Sequence, residues 1–232
     1  MRQRLPNLPG AYIDCSRNIV LAKAELGYSP LAHQLAPEAL EVGFSGLLSK
    51  WGPGDYRAAV SLWTQGYFGR LLRPLLAYAV LHDVQFDLHI DAVGVEVSDI
   101  GTPVRFSLSR SVSQTVDCYL AHLVQDHMEP LIERIVAATH TSERLHWSNA
   151  SFAFYRAYRH IAVYVSGGHE LAELEARLSP IAGAMREKHP LFTLTECRSR
   201  PGEVQTRRRV CCIRFKLNRL KKCGSACPCN EC

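Results

Sequence analysis

The last 22 positions of the chain hold Cys211, Cys212, Cys223, Cys227, Cys229 and Cys232, whereas the preceding 210 residues contain only Cys15, Cys118 and Cys197. A segment this short cannot bury a core of its own, so a crosslink, a metal or the rest of the chain must hold it. Four arrangements meet that need: a disulfide knot, a zinc site, an iron-sulfur cluster, or a basic tail whose thiols are incidental. Compartment narrows the choice. The start, "MRQRLPNLPGAYIDCS", carries prolines and Asn7 where an export signal would be apolar, and no lipoprotein-type cleavage site precedes Cys15. The longest strongly apolar stretch, "PLLAYAVL" at 74–81, is far short of the roughly 20 residues that cross a bilayer. The expectation is a cytoplasmic protein without a transmembrane segment, peripheral membrane association being left open. Reduced thiols at this density favour metal binding or redox chemistry over disulfides.

The 232 residues are 47% hydrophobic and 21% charged, enough to bury a full core, with one domain and an appendage as the expected outcome. From Asp55 to His82, the residues Val60, Trp63, Tyr67, Leu71, Leu75 and Tyr78 recur three or four apart, the spacing of a buried helix in which Pro74 marks a candidate kink. The pattern then switches to period two. Phe86, Leu88 and Ile90 alternate with Asp87, His89 and Asp91, and "SDIGTP" separates two further strand-like runs, which together predict a small antiparallel sheet. Helical spacing returns through Val116, Leu120, Leu123 and Leu131, with Pro130 as a break, and continues over 143–165 and 169–188 with "SGGH" between. Pro201-Gly202 closes the body. The fold class is α+β: a mainly helical body over 1–202 and a C-terminal cysteine-rich segment over 203–232.

Outside the tail the candidate sites are weak. Asp87, His89 and Asp91 would share one strand face, but a half-buried strand needs such a polar face for solvent alone. His122 and His127 lie five apart and do not share a helical face. "HELAELEARL" at His169 has Glu173 where a metalloprotease helix carries its second histidine. No phosphate-cradling glycine loop and no nucleophile elbow is present, so nucleotide hydrolysis and serine-hydrolase chemistry lack support.

In the tail, ten residues separate the vicinal pair Cys211-Cys212 from Cys223, and three more precede Cys227, with Asn218 placed for a turn that lets the two pairs converge. Adjacent cysteines diverge in extended backbone and suit one tetrahedral ion poorly. A two-iron cluster gives each iron two thiolates and so accepts ligands that diverge locally, which sets iron-sulfur ahead of zinc.

"RRRVCCIRFKLNRLKKCGSACP" resembles the C-terminal signature of ferric siderophore reductases of the FhuF type: Cys-Cys, ten residues, Cys, two residues, Cys, then proline. "LWTQGYFGRLLRPLLAYAVLH" and "LHWSNASFAF" resemble that family's leucine-rich helix and its Trp-x-Asn segment. The resemblance implies a 2Fe-2S cluster on Cys211, Cys212, Cys223 and Cys227. This sequence departs from the signature by one extra residue in "CGSAC", which leaves Cys229 and Cys232 as alternatives for the fourth ligand. For Trp147 and Asn149 of the second segment, core packing and a helix-facing amide are expected.

The implied activity is reduction of a ferric siderophore of the hydroxamate type, with one electron passing from the cluster to chelated Fe(III) and Fe(II) released to the cell. The implied partners are the ferric chelate and an electron donor, protein or small reductant. The net charge of +5 divides into +8 over 204–230 and −3 elsewhere, and the basic segment should favour the reduced cluster or dock an anionic partner. The alternative is a zinc-stapled basic segment that binds nucleic acid or serves structure without catalysis. Against nucleic acid stand the near absence of interleaved aromatics, Phe215 apart, and the slightly acidic body.

Overall fold

The computed structural model of the chain describes residues 5–21, 27–112, 116–165, 189–200 and 203–231. Its helices are α1 (Ile13–Ser16), α2 (Leu31–Gln34), α3 (Pro37–Trp51), α4 (Tyr56–His82), α5 (Val116–His122), α6 (Glu129–Thr139), α7 (Glu143–Val165) and α8 (Pro190–Thr193). Its strands are β1 (Ile19–Leu21), β2 (Ser29–Pro30), β3 (Gly94–Val97), β4 (Pro103–Leu108), β5 (Thr195–Arg200) and β6 (Glu203–Arg208).

The long helix α4 organises the rest. Asp55 caps it by accepting a bond from the Arg57 amide, and Asp83 closes it in the left-handed conformation at φ 50°. All six residues of the predicted apolar spacing are buried, and so are Ala59, Phe68, Leu72 and Ala77 on its other faces. A helix apolar all round is a central one. Helix α7 packs along one side of it, α3 and strand β4 along others, and Trp63, Tyr67 and Phe106 form an aromatic seam between helix and sheet. Pro74 sits inside the helix, which runs unbroken to His82.

Strands β3 and β4 form the expected antiparallel hairpin around "SDIGT", with Val95 opposite Phe106. The sheet has the order β1-β4-β3-β2, and β1 runs parallel to β4. It is therefore mixed, because a strand from the N-terminal region supplies the edge. The alternation at 86–91 holds in burial but extends to a single bridge, Phe86 to Arg110, instead of a strand. The chain turns there: Asp87 accepts from the His89 amide, His89 Nδ1 from the Asp91 amide, and all three side chains stay exposed. Asp87 and His89 bind the local backbone, Asp91 pairs with Arg134, and the three are not gathered into a site.

At Leu123–Met128 the helical run widens into a π turn, which joins α5 to α6 and delivers Pro130 to the first turn of α6, where a missing amide costs nothing. Helix α7 spans the predicted 143–165, while the helix expected over 169–188 and the loop before it lie outside the described residues. The β5-β6 hairpin was not foreseen. Its strands pair from Thr195-Arg208 to Arg200-Glu203 across Pro201-Gly202, and their polar residues carry no apolar alternation to announce them. Among the described residues no helix is long and apolar enough to cross a membrane.

Two imidazoles are sealed in this core. His127 Nδ1 lies 2.9 Å from the Leu88 carbonyl, which can only accept, so Nδ1 carries the proton and Nε2 accepts from the Tyr67 hydroxyl at 2.7 Å. His146 lies between Thr141 at 2.7 Å and Thr64 at 3.3 Å. Burial pushes both down to about 4. Because the unfolded chain takes up these protons near pH 6.5 and the folded chain does not, their contribution is full above that pH and is lost as pH falls towards 4. Lowering the pH from 7 to 5 should cost about 2 kcal/mol per imidazole, read as a fall in the urea midpoint. A His127→Gln protein should show a smaller fall; equal falls would mean that His127 does not titrate on unfolding.

Candidate metal centre

The path of the cysteine segment is set by bonds from two helices of the body. On α4, Ser61 Oγ donates to the Cys212 carbonyl at 2.8 Å; on α7, Ser148 Oγ donates to the Val210 carbonyl at 3.0 Å. These bonds grip the backbone on either side of Cys211. Between the helices lies Asn149, buried, whose amide nitrogen is within 3.0 Å of Ser61 O, Ser61 Oγ and Thr64 Oγ1. Its oxygen accepts from Arg208 Nη1 at 2.9 Å, and the same nitrogen reaches the Ser148 carbonyl at 2.9 Å. The Arg208 guanidinium also stacks 4.1 Å from the centre of the Phe152 ring. Strand β6 thus ends on a buried arginine.

After the vicinal pair, Ile213 takes φ 49°, a left-handed conformation that a β-branched residue adopts only under constraint. The reversal lets its amide donate to Cys211 Sγ at 3.4 Å. The chain then crosses the loop between α3 and α4. Leu217 bridges Gly54, the Arg219 amide donates to Trp51 O at 3.0 Å, and Lys216 pairs with Asp55 at 3.1 Å. Gly54 is required there, since a Cβ would stand 2.1 Å from the Lys216 carbonyl oxygen. The Leu220 amide bonds Leu217 O, so Asn218 sits in the turn expected of it. Beyond Cys223 the residues Gly224–Ala226 form one 3-10 turn, closed by the Cys227 amide on Gly224 O at 2.9 Å. The extra residue of "CGSAC" is absorbed in that turn.

The sulfurs fall into two groups. Cys212 Sγ and Cys223 Sγ are 3.9 Å apart, and those of Cys211, Cys227 and Cys229 all lie within 4.8 Å of one another. The adjacent residues Cys211 and Cys212 therefore send their thiols to different groups. All four sequence-predicted ligands lie in these groups. Cys229 joins them beside Cys227, and Cys232 is outside the described residues. Cys212 and Cys227 are buried, the other three partly so. Contact with Cys223, with Arg208 and Arg214 nearby, holds the Cys212 thiol below its ordinary range, while the same contact and burial raise Cys223. Burial pushes Cys211 up to about 12.

Thiolate sulfur is the donor that iron-sulfur clusters and zinc share. Two sulfur groups, each able to serve a separate metal, fit a two-iron group better than one tetrahedral ion. The basic residues serve more as clamps than the sequence suggested. Arg207 donates to the Pro228 carbonyl, Arg214 to that of Lys221 and Lys222 to that of Cys229, while Arg209 pairs with Glu196. The sequence reading missed Ser61 and Arg208. Asn149 faces helix α4, as expected of a helix-facing amide, and in addition ties α4 to β6. Trp147 is buried as expected, with Nε1 donating to Glu143 at 2.9 Å.

Over residues 61–210 the chain matches the family described as ferric iron reductase FhuF-like transporter. That span opens at Ser61, closes at Val210 and includes Asn149 and Arg208, so it covers the scaffold that presents the cysteines. No curated protein matches the chain.

Proposed function

Because the chain belongs to the FhuF-like ferric iron reductase family, we propose that it reduces chelated ferric iron, with a 2Fe-2S cluster held by Cys211, Cys212, Cys223 and Cys227 on a body spanning 1–202. The observation that carries this reading is the division of the thiols. Cys212 and Cys223 would serve one iron, and Cys211 and Cys227 the other. When bound, such a cluster supplies a carrier that takes up and gives away one electron at a time. The Ile213 amide on Cys211 Sγ and the buried Arg208 cation both stabilise added negative charge at the sulfurs. Ser61 and Ser148 fix the backbone against drift between the two charge states. The substrate is chelated Fe(III), for which a hydroxamate chelate offers hard oxygen donors; one electron, drawn from a one-electron donor, leaves Fe(II) that those donors hold less tightly. We place the reaction in the cytoplasm.

The protein purified without oxygen should contain about two irons and about two acid-labile sulfides per chain. Chemically reduced, it should reoxidise when mixed with a ferric trihydroxamate while a ferrous trap colours. A second reading rests on the Cys211, Cys227 and Cys229 group, whose three close sulfurs suit one zinc ion. Stoichiometric zinc without sulfide, from cells grown with ample iron, would establish that reading and overturn the first.

A further inference from the structure

Between α4 and α7, directly beside the cysteines, lies a cavity of about 290 Å3. Buried Arg208, the half-buried Cys223, Arg73 and Arg214, and the exposed Arg156 and His160 line it. Four guanidinium groups line it, and among the described residues no carboxylate does. Arginines on protein surfaces are ordinarily neutralised nearby, as Arg57, Arg105 and Arg209 are here by Asp55, Glu96 and Glu196. Among the described residues, three of those in the cavity are held otherwise. Arg208 and Arg156 lie over the Phe152 ring, and Arg214 donates to backbone carbonyls. Arg208 is 3% exposed, its Nε has no hydrogen-bond partner, and among the described residues no acid pairs with it. His160 registers the same field: partial burial holds its imidazole below the ordinary range, and Arg73, Arg156 and Arg159 add to the effect.

A buried guanidinium whose charge the neighbouring sulfurs offset only in part is costly to keep unless a further anion completes it, and the fork of an arginine matches a carboxylate with two parallel bonds. The cavity is near the lower end of ligand-pocket volumes, which suits an anionic arm and the adjoining face of a chelate better than a whole enclosed molecule. We propose that this cavity is the chelate site of the reductase and that it selects ferric chelates bearing free carboxylates over neutral ones. The inference rests on the reductase reading and adds the charge class of the substrate. A chelate seated there lies against Cys223, so its iron is brought to the thiol end of the site.

Gallium(III) has the charge and size of Fe(III) and is not reduced, which separates binding from electron transfer. Two gallium chelates should be titrated calorimetrically into the protein as purified: a neutral trihydroxamate, and a citrate-cored dihydroxamate whose arms carry two further carboxylates. The second should bind at least about tenfold more tightly at low salt, with the gap narrowing as salt rises. Arg156→Gln, at an exposed position, should close most of that gap and Arg156→Lys should restore part of it, with unchanged thermal unfolding in both. Equal affinity for the two chelates, or a preference that survives Arg156→Gln, would overturn the proposal. If neither gallium chelate binds while ferric chelates still oxidise the reduced protein, the cavity is not the site and the reductase reading stands. If gallium chelates bind as expected but ferric ones leave the reduced protein unchanged, the reductase reading falls and the anion site remains.

Discussion

Cys212→Ser and Cys223→Ser proteins should each lose the visible absorption of the parent, along with most of its iron and sulfide. Among the described residues these two thiols form one group by themselves, 3.9 Å apart, with no third cysteine in it to take over. Serine oxygen is a harder donor and ionises far less readily than thiol sulfur, so a serine in either place cannot hold that iron as the thiolate did. The other group should behave differently. Three sulfurs within 4.8 Å of one another compete there for two positions. Cys227 is buried and carries the following proline, whereas Cys229 is only partly buried. Cys227→Ser should therefore alter the spectrum strongly, and Cys229→Ser should leave it close to the parent. The reverse pattern would assign the fourth position to Cys229 and would show that the 3-10 turn at Gly224–Ala226 carries Cys227 past the metal. Two spectra each close to the parent would mean that either thiol can complete the set, as the placement of both within 4.8 Å of Cys211 allows.

The second large effect belongs to Arg208. This cation is buried, and the Cys212, Cys223 and Cys211 sulfurs offset part of the cost of burying it. Arg208→Gln removes a positive charge beside a centre that gains an electron, so the reduced form loses support and the midpoint potential should fall. A unit charge at short range in a partly buried site is worth on the order of 1–3 kcal/mol, and one factor of ten in a one-electron equilibrium is 59 mV, so the fall should be on the order of 50–120 mV. Glutamine also shortens the reach to Asn149 Oδ1 and the Ser148 carbonyl, and a buried acceptor left unpaired costs about 1–3 kcal/mol of stability. Arg208→Lys keeps the charge but not the fork, so its potential should lie closer to the parent while its stability stays reduced. Spectroelectrochemical titration of the three proteins reads the first effect, and urea unfolding the second. An unchanged potential in Arg208→Gln with the cluster retained would remove Arg208 from the tuning of the centre.

Much of the molecule is written in local spacing. The 3.6-residue recurrence from Val60 to Tyr78 placed α4, and the period-two burial of Phe86, Leu88 and Ile90 held even where no strand formed. The start of α7 at Glu143 and the turn at Asn218 were also legible, because each depends on residues a few positions apart. Adjacency of Cys211 and Cys212 was enough to argue for two diverging thiols. What the spacing could not carry was the β5-β6 hairpin, whose strands "TECRSR" and "EVQTRR" are polar and lack apolar alternation. The parallel edge strand β1 was equally hidden, because Ile19–Leu21 and Phe106–Leu108 pair across more than eighty positions.

The sequence by itself determined that this chain concentrates soft sulfur donors in a basic segment too short to fold alone, and that a helical body must carry it. Those are properties of composition and near-neighbour order, which unfolded and folded chains share. The tertiary structure alone decided which thiols meet, that Cys229 stands beside Cys227, and that Ser61, Asn149 and Arg208 form one buried node across separations of 88 and 59 residues. Contacts that distant leave no periodic trace, because each partner is chosen by shape and hydrogen-bond complementarity when helices pack. The arginine-lined cavity has the same origin: its residues come from α4, α7 and the cysteine segment, and only their packing turns separate charges into one positive site.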